Sequence, residues 1–143
     1  MALGILREGE RVSADVATVE ACDAPVSIAF SEEINAYTDG EEVVITSELV
    51  RRTASDSRLA LILAHELAHI ILHAGDGFDG GPKLEIEADA LGLELLHRAG
   101  FDAGEAVDEM ESFGRTLAQG VSGTHPLHEE RVARLRAAIE DLP

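Results

Sequence analysis

Ala64-His65-Glu66-Leu67-Ala68-His69 decides how this chain reads. The run sits inside an otherwise apolar segment, Leu59 to Leu72, and a helix that is apolar nearly all round is a buried, central one. Three ionisable groups on such a helix are costly unless something binds or pairs with them. The i, i+4 spacing sets both imidazoles on one face, with Glu66 turned about 100° from His65. Two imidazoles on one face suit zinc. The offset carboxylate can then stand beside the metal as a general base for metal-activated water, without being a ligand. The competing reading is a pair of core histidines that only cap or hydrogen-bond, and the motif alone does not exclude it.

A third ligand is expected from the next element. The helix runs out near His73 and Ala74, and Gly75-Asp76-Gly77-Phe78-Asp79-Gly80-Gly81-Pro82 reads as a loop of helix-breaking residues. A second helix starts near Lys83, with Pro82 at or just before its first turn, and Gly100 is expected as its C-cap. Returning roughly antiparallel, it brings its opening turn close to the histidines. That turn carries Glu85 and Asp89, again i, i+4, beside an apolar stripe of Leu84, Ala88, Leu91 and Leu95. Glu85 completes a His2Glu set whose fourth position stays open, the catalytic rather than the structural pattern of zinc sites. Asp89, one turn deeper, can accept the spare N–H of a ligand histidine and fix its tautomer. The bland alternative is a solvated acidic face, which describes Glu87 and Glu94. Gly92 shares the side of Asp89; close approach of the two helices, or a tolerated accident costing about 1 kcal/mol against Ala, would each explain it.

Outside the two helices the signals are shorter. Val26 to Phe30 alternates like a strand. Asn35 to Tyr37 and Glu42 to Thr46 read as two more, joined by a hairpin-type turn over Thr38-Asp39-Gly40-Glu41. The Asn35 to Tyr37 neighbourhood is the expected sheet edge, where an extended peptide could add as a strand. The histidine-bearing helix begins around Asp56 with Thr53 or Ser55 as cap, and further helices are expected at about 103–119 and 127–140. Ala106, Val107, Met110, Phe113 and Leu117 are spaced for one face of the first, and Pro126 suits the start of the second. Residues 1–24 show no clear period beyond a short helix around Ala14 to Ala21. His73, His97 and His128 read as surface or helix-end residues, His73 suiting a helix C-terminus.

At 143 residues the chain is one domain with a sizeable core, and it does not need disulfides. The lone Cys22 forms no internal bridge and is not expected to be a catalytic thiol. A formal charge of −17, with Lys83 the single lysine, lacks the basic footprint of a nucleic-acid binder and disfavours anionic lipid. It would attract positively charged or unstructured peptides, although an acidic surface also simply keeps a protein soluble. No apolar run reaches the length of a bilayer span, and the start, Met1 to Glu8, has the wrong charge order for a secretory signal. A soluble cytoplasmic protein is expected; a domain cut from a larger parent would look the same.

His65-Glu66-Leu67-Ala68-His69 followed by Glu85-Ile86-Glu87-Ala88-Asp89 resembles the gluzincin zinc metallopeptidases, specifically the HtpX and CAAX prenyl-protease group. Ile34-Asn35-Ala36-Tyr37, Gly40 and Val43-Val44-Ile45-Thr46 are similar to that family's stretch before the active-site helix. Ala90 to Leu96 with Ala99-Gly100-Phe101 resembles the segment after its third ligand. Thr124-His125-Pro126 with Arg131-Val132-Ala133-Arg134-Leu135 resembles its C-terminal signature, so the likeness runs from 25 to 140. It departs in one respect: most of that family is membrane-associated or carries extra domains. A similar helix pattern occurs in ImmA/IrrE-type regulator-cleaving peptidases, whose C-terminal signatures fit less well.

The resemblance implies an α+β, zincin-like fold, a small N-terminal β-sheet packed on a mainly helical domain with a central HExxH helix. It implies one Zn2+ held by His65, His69 and Glu85, Glu66 as base and Asp89 supporting a ligand. His125 and Arg131 inherit a role in steadying the oxyanion, or for His125 in capping the metal of a closed site. Residues 25–143 form the expected metallopeptidase domain, with 1–24 as an N-terminal segment of it or before it. The expected activity is hydrolysis of peptide or unfolded-protein substrates. The alternative is a latent or non-catalytic zinc-binding module that engages a regulatory partner.

Overall fold

A computed structural model describes residues 2–7, 9–15, 24–53, 55–73, 81–117 and 129–142. Strands β1 (Ala2–Arg7) and β2 (Glu10–Asp15) pair antiparallel as a two-stranded ribbon, with Gly9 between them at φ 85°. The expected helix at Ala14 to Ala21 is corrected at its start, because Ala14 and Asp15 close β2. The rest of that segment lies outside the described residues. The ribbon was hidden because its one strong signal is a glycine free to adopt positive φ, not a hydrophobic period.

Three further strands, β3 (Val26–Ala29), β4 (Ala36–Thr38) and β5 (Val43–Thr46), form a sheet of order β3-β5-β4. The middle strand β5 runs parallel to β3 and antiparallel to β4, and all four of its residues are buried. A strand covered on both faces reads as a continuous apolar run, which Val43-Val44-Ile45 is. The β4–β5 turn is closed by side chains. Asp39 Oδ1 accepts the N–H groups of Glu41 (2.9 Å) and Glu42 (3.0 Å), and Thr38 Oγ1 donates to Glu42 O (2.6 Å). Gly40 sits at φ 96°. β4 is an edge of this sheet.

Helix α1 (Ser47–Arg52) was not anticipated. Six residues are too few for a hydrophobic period, and its signal is the cap: Thr46 Oγ1 accepts from Leu49 N–H at 3.3 Å. The same hydroxyl donates to Asn35 O (3.0 Å) and accepts Asn35 N–H (3.1 Å), pinning the entrance to β4. Thr53 then ends α1, its N–H reaching Leu49 O at 2.9 Å. Of the two residues expected to start the next helix, Ser55 does so, accepting Arg58 N–H at 3.2 Å.

Helix α2 (Asp56–His73) carries the histidines, and its all-round hydrophobicity has a plain cause. Two cores meet on it. Leu59, Ile62, Leu63 and Ile70 pack toward Ala36, Val43, Ile45 and Leu49 of the sheet side. Leu61, with Ala60 and Ala64, joins Leu93, Leu96, Ala106, Val107, Val132 and Leu135 on the other side. Those partners come from α3 (Pro82–Arg98), α4 (Ala103–Leu117) and α5 (Glu129–Ile139). Arg58 also ties the helix down. Its Nη2 donates to Arg52 O at 2.6 Å, and its guanidinium lies 4.3 Å over the Phe113 ring.

Helix α3 ends two residues before the expected glycine. Gly100, at φ 86°, donates to His97 O (2.9 Å) and Phe101 N–H to Leu96 O (3.3 Å), a Schellman closure beyond Arg98. Its buried face is Glu85, Ala88, Gly92, Leu93 and Leu96. The expected stripe is therefore rotated: Leu84, Leu91 and Leu95 are only half-buried, because α4 and α5 draw Leu93 and Leu96 inward. Helix α4 is capped by Asp102, whose Oδ1 accepts Glu105 N–H at 2.8 Å. The proposed start of α5 at Pro126 lies outside the described residues. Among those residues no helix is long and apolar enough to cross a membrane.

Candidate metal centre

The antiparallel return of α3 brings Glu85 to the two histidines, one turn apart on α2. His65 Nε2 and His69 Nε2 are 3.1 Å apart. Glu85 straddles them, Oε2 at 3.4 Å from His65 Nε2 and Oε1 at 3.4 Å from His69 Nε2. All three residues are buried, and their ligand atoms lie within 4.8 Å of one another. Ligand bonds of about 2.0–2.2 Å in a tetrahedron put neighbouring donors about 3.3–3.6 Å apart, so these separations fit one zinc-sized ion.

Behind the three donors lies a layer that holds them. Asp89 Oδ1 lies 3.0 Å from His65 Nδ1, where a carboxylate favours the proton on Nδ1 and so leaves Nε2 available to a metal. Arg131, reaching in from α5, clamps Asp89 with two bonds, Nε to Oδ2 at 2.8 Å and Nη2 to Oδ1 at 2.6 Å. Its Nη1 lies 3.1 Å from Glu85 Oε2. One guanidinium thus secures the two inward carboxylates of α3, Glu85 and Asp89, the planar fork doing what a lysine could not. The sequence motif implied Arg131 near the metal; its grip on Asp89 left no trace in spacing, because it joins residues 42 apart.

Charge supplies a further test of fit. Glu66 is 2 % exposed and Glu85 7 %, and Asp89 is largely buried beside them. Against three carboxylates stands the Arg131 cation, which leaves a deficit of two positive charges with both histidines neutral. A divalent cation has that charge. The residues present fit zinc in donor type, spacing and charge.

Without a metal, His65 carries part of the deficit itself. Burial pushes its imidazolium down, but hydrogen bonds to Asp89 and Glu85, with the charges of Asp89 and Glu66, lift it from 6.5 to about 9. Asp89 moves the other way: burial raises it, and the bonds from Arg131 and His65 outweigh that and lower it. A raised pKa contributes stability that is complete below the unfolded value and lost as pH climbs through the folded one. Chelator-treated protein should therefore melt at progressively lower temperature from pH 6.5 to pH 9, and His65→Gln should flatten that slope. Equal melting temperatures for the parent protein across this window would contradict the assignment.

Of the residues singled out in the sequence, His65, Glu66, His69, Glu85, Asp89 and Arg131 come together here. His125 and His128 lie outside the described residues. His73 closes α2, as the helix-end reading expected, but it is not on the surface: it is 7 % exposed, its ring 5.5 Å from that of His69. The third histidine in an i, i+4, i+8 series shares the inward face of α2, which outweighs its place at the helix end. His97 is half-buried on α3, and Glu87 and Glu94 pair on the surface with Lys83 (3.5 Å) and Arg98 (2.5 Å).

Comparison with family models gives two matches. The model of peptidase family M48 matches residues 5–74 and 82–139, most of the chain. The IrrE N-terminal-like domain matches a shorter stretch, 49–101, which spans α2 and α3. No curated protein matches the chain.

Proposed function

The chain belongs to peptidase family M48, a family of zinc metallopeptidases, and from that premise we propose that it is a zinc-dependent endopeptidase of gluzincin type, a relative of the HtpX and CAAX prenyl-protease group. The observation that carries the proposal is the convergence of two imidazoles and one carboxylate beside a buried carboxylate that is not among them. A purely structural site needs no such base.

His65, His69 and Glu85 would hold the ion. When bound, zinc supplies a Lewis acid that polarises the scissile carbonyl and acidifies the attacking water. Glu66 takes a proton from that water and delivers it to the leaving amine. Asp89 keeps His65 in its donor tautomer, and Arg131 keeps Asp89 and Glu85 in place. With its donors turned to those carboxylates, Arg131 acts on the oxyanion as a nearby positive charge, and His125 is the proposed direct donor. The substrate is an extended segment of an unfolded or cationic protein, laid along the β4 edge by strand addition. The acidic surface favours such a segment.

Unfolded casein tests this. Zinc-loaded protein should cleave it, lose the activity in chelator and regain it on zinc addition. No cleavage by protein that holds one zinc would overturn the endopeptidase reading in favour of a zinc-binding module. Cleavage by His125→Ala alone would indicate a latent peptidase.

A further inference from the structure

Gly92 lies where α3 comes close against the backbone of α2, directly over the first histidine. A Cβ placed on it would stand 3.0 Å from both Cα and N of His65 and 3.2 Å from the carbonyl carbon of Ala64. Carbon atoms pack best at about 3.5–4.0 Å, so the helices would have to part by a few tenths of an ångström. None of the three atoms can rotate away, since all belong to the backbone of α2. Nor can α2 retreat, because its other side is packed against the sheet through Leu59, Ile62, Leu63 and Ile70. The movement falls on α3. That helix carries Asp89 one turn before Gly92 and Glu85 two turns before it, and both meet the histidines across the same gap.

We propose that Gly92 is a positioning residue: its missing side chain sets the separation of α2 and α3 at which Glu85 and the His65–Asp89 pair fit the metal. The inference rests on the metal reading above and adds to it a residue that touches neither metal nor substrate. Metal–ligand distances tolerate only about 0.2 Å, whereas an apolar core spreads such a shift over many contacts, losing some stability but not the fold. Alanine is also the better helix former, which offsets part of the steric cost in the metal-free fold. The two properties should therefore separate.

Cobalt uptake and metal-free melting, measured on the same protein, test this. Co2+ is the probe because its visible absorption is intense in a four-coordinate site and weak in a six-coordinate one. Parent protein should give the intense band. Gly92→Ala should bind Co2+ about tenfold or more weakly, in the range seen when groups supporting a ligand are lost, with a weakened band. Its melting temperature in chelator should stay near that of the parent. Ala88→Gly is the comparison: it removes a fully buried methyl from the same helix face without forcing the helices apart. That variant should melt lower in chelator and keep the parent cobalt band.

A Gly92→Ala protein with unchanged cobalt affinity and spectrum overturns the inference. So does one that fails to fold without metal, since Gly92 would then be a packing requirement of the fold rather than of the site. Parent protein that takes up no Co2+ at all would overturn the metal reading, and this inference with it.

Discussion

Glu66→Gln should retain one zinc per chain and lose peptide hydrolysis. The amide keeps the volume and shape of the carboxylate at a position only 2 % exposed, so the helix and its ligands stay where they are. What disappears is the ability to take a proton. General-base catalysis contributes about 10²–10⁴-fold, so kcat/KM on an unfolded substrate should fall by about that factor, or about 3–5 kcal/mol in the barrier. Metal content and cleavage should be measured on the same preparation. Undiminished cleavage would remove Glu66 from its role, whereas loss of the metal would make it part of the binding set.

Asp89→Ala is the second large effect, and it should strike stability and metal binding together. The substitution deprives Arg131 of two bonds, at 2.8 and 2.6 Å, and His65 Nδ1 of the carboxylate oxygen 3.0 Å away. Removing one member of a buried ion pair costs about 3–5 kcal/mol when the other is left uncompensated, and Arg131 keeps Glu85 at 3.1 Å, so the lower end, about 3 kcal/mol, is expected. For a domain of this size that is a fall of about 10 °C or more in melting temperature. Zinc affinity should drop about 10- to 100-fold as His65 loses the group that orients it. Asp89→Asn, which keeps an oxygen for one partner, should fall between parent and alanine variant in both respects. A zinc affinity indistinguishable from that of the parent would place Asp89 outside the site.

What could be read in the sequence follows from how local each signal is. The α2 motif, the i, i+4 pair Glu85 and Asp89 on α3 and the intervening glycine-rich stretch are local. Together they anticipated which side chains of two helices meet. The strands β3, β4 and β5 were legible from alternation and from Gly40, within a residue or two at their ends. Helix α1 was not, being too short to show a period and announced only by Thr46. The rotation of the buried face of α3 from Leu91 and Leu95 to Leu93 and Leu96 depends on α4 and α5, which are distant in sequence. His73 was placed correctly at the end of α2, but its burial was not legible, since a helix end is exposed only when nothing packs there. The clamp of Arg131 on Asp89 is long-range too: a motif can associate two residues, but which atoms bond emerges only when α5 lies against α3.

Because α2 is walled by packed side chains on the sheet side and on the helix side, it is the fixed jaw of this centre, and α3, buried in one core only, is the adjustable one. An engineer seeking a different metal preference should therefore leave the histidine helix alone and vary what α3 presents. Exchanging Glu85 for a softer or harder donor alters selectivity through ligand chemistry. Sliding or turning α2 to the same end would tear both cores at once.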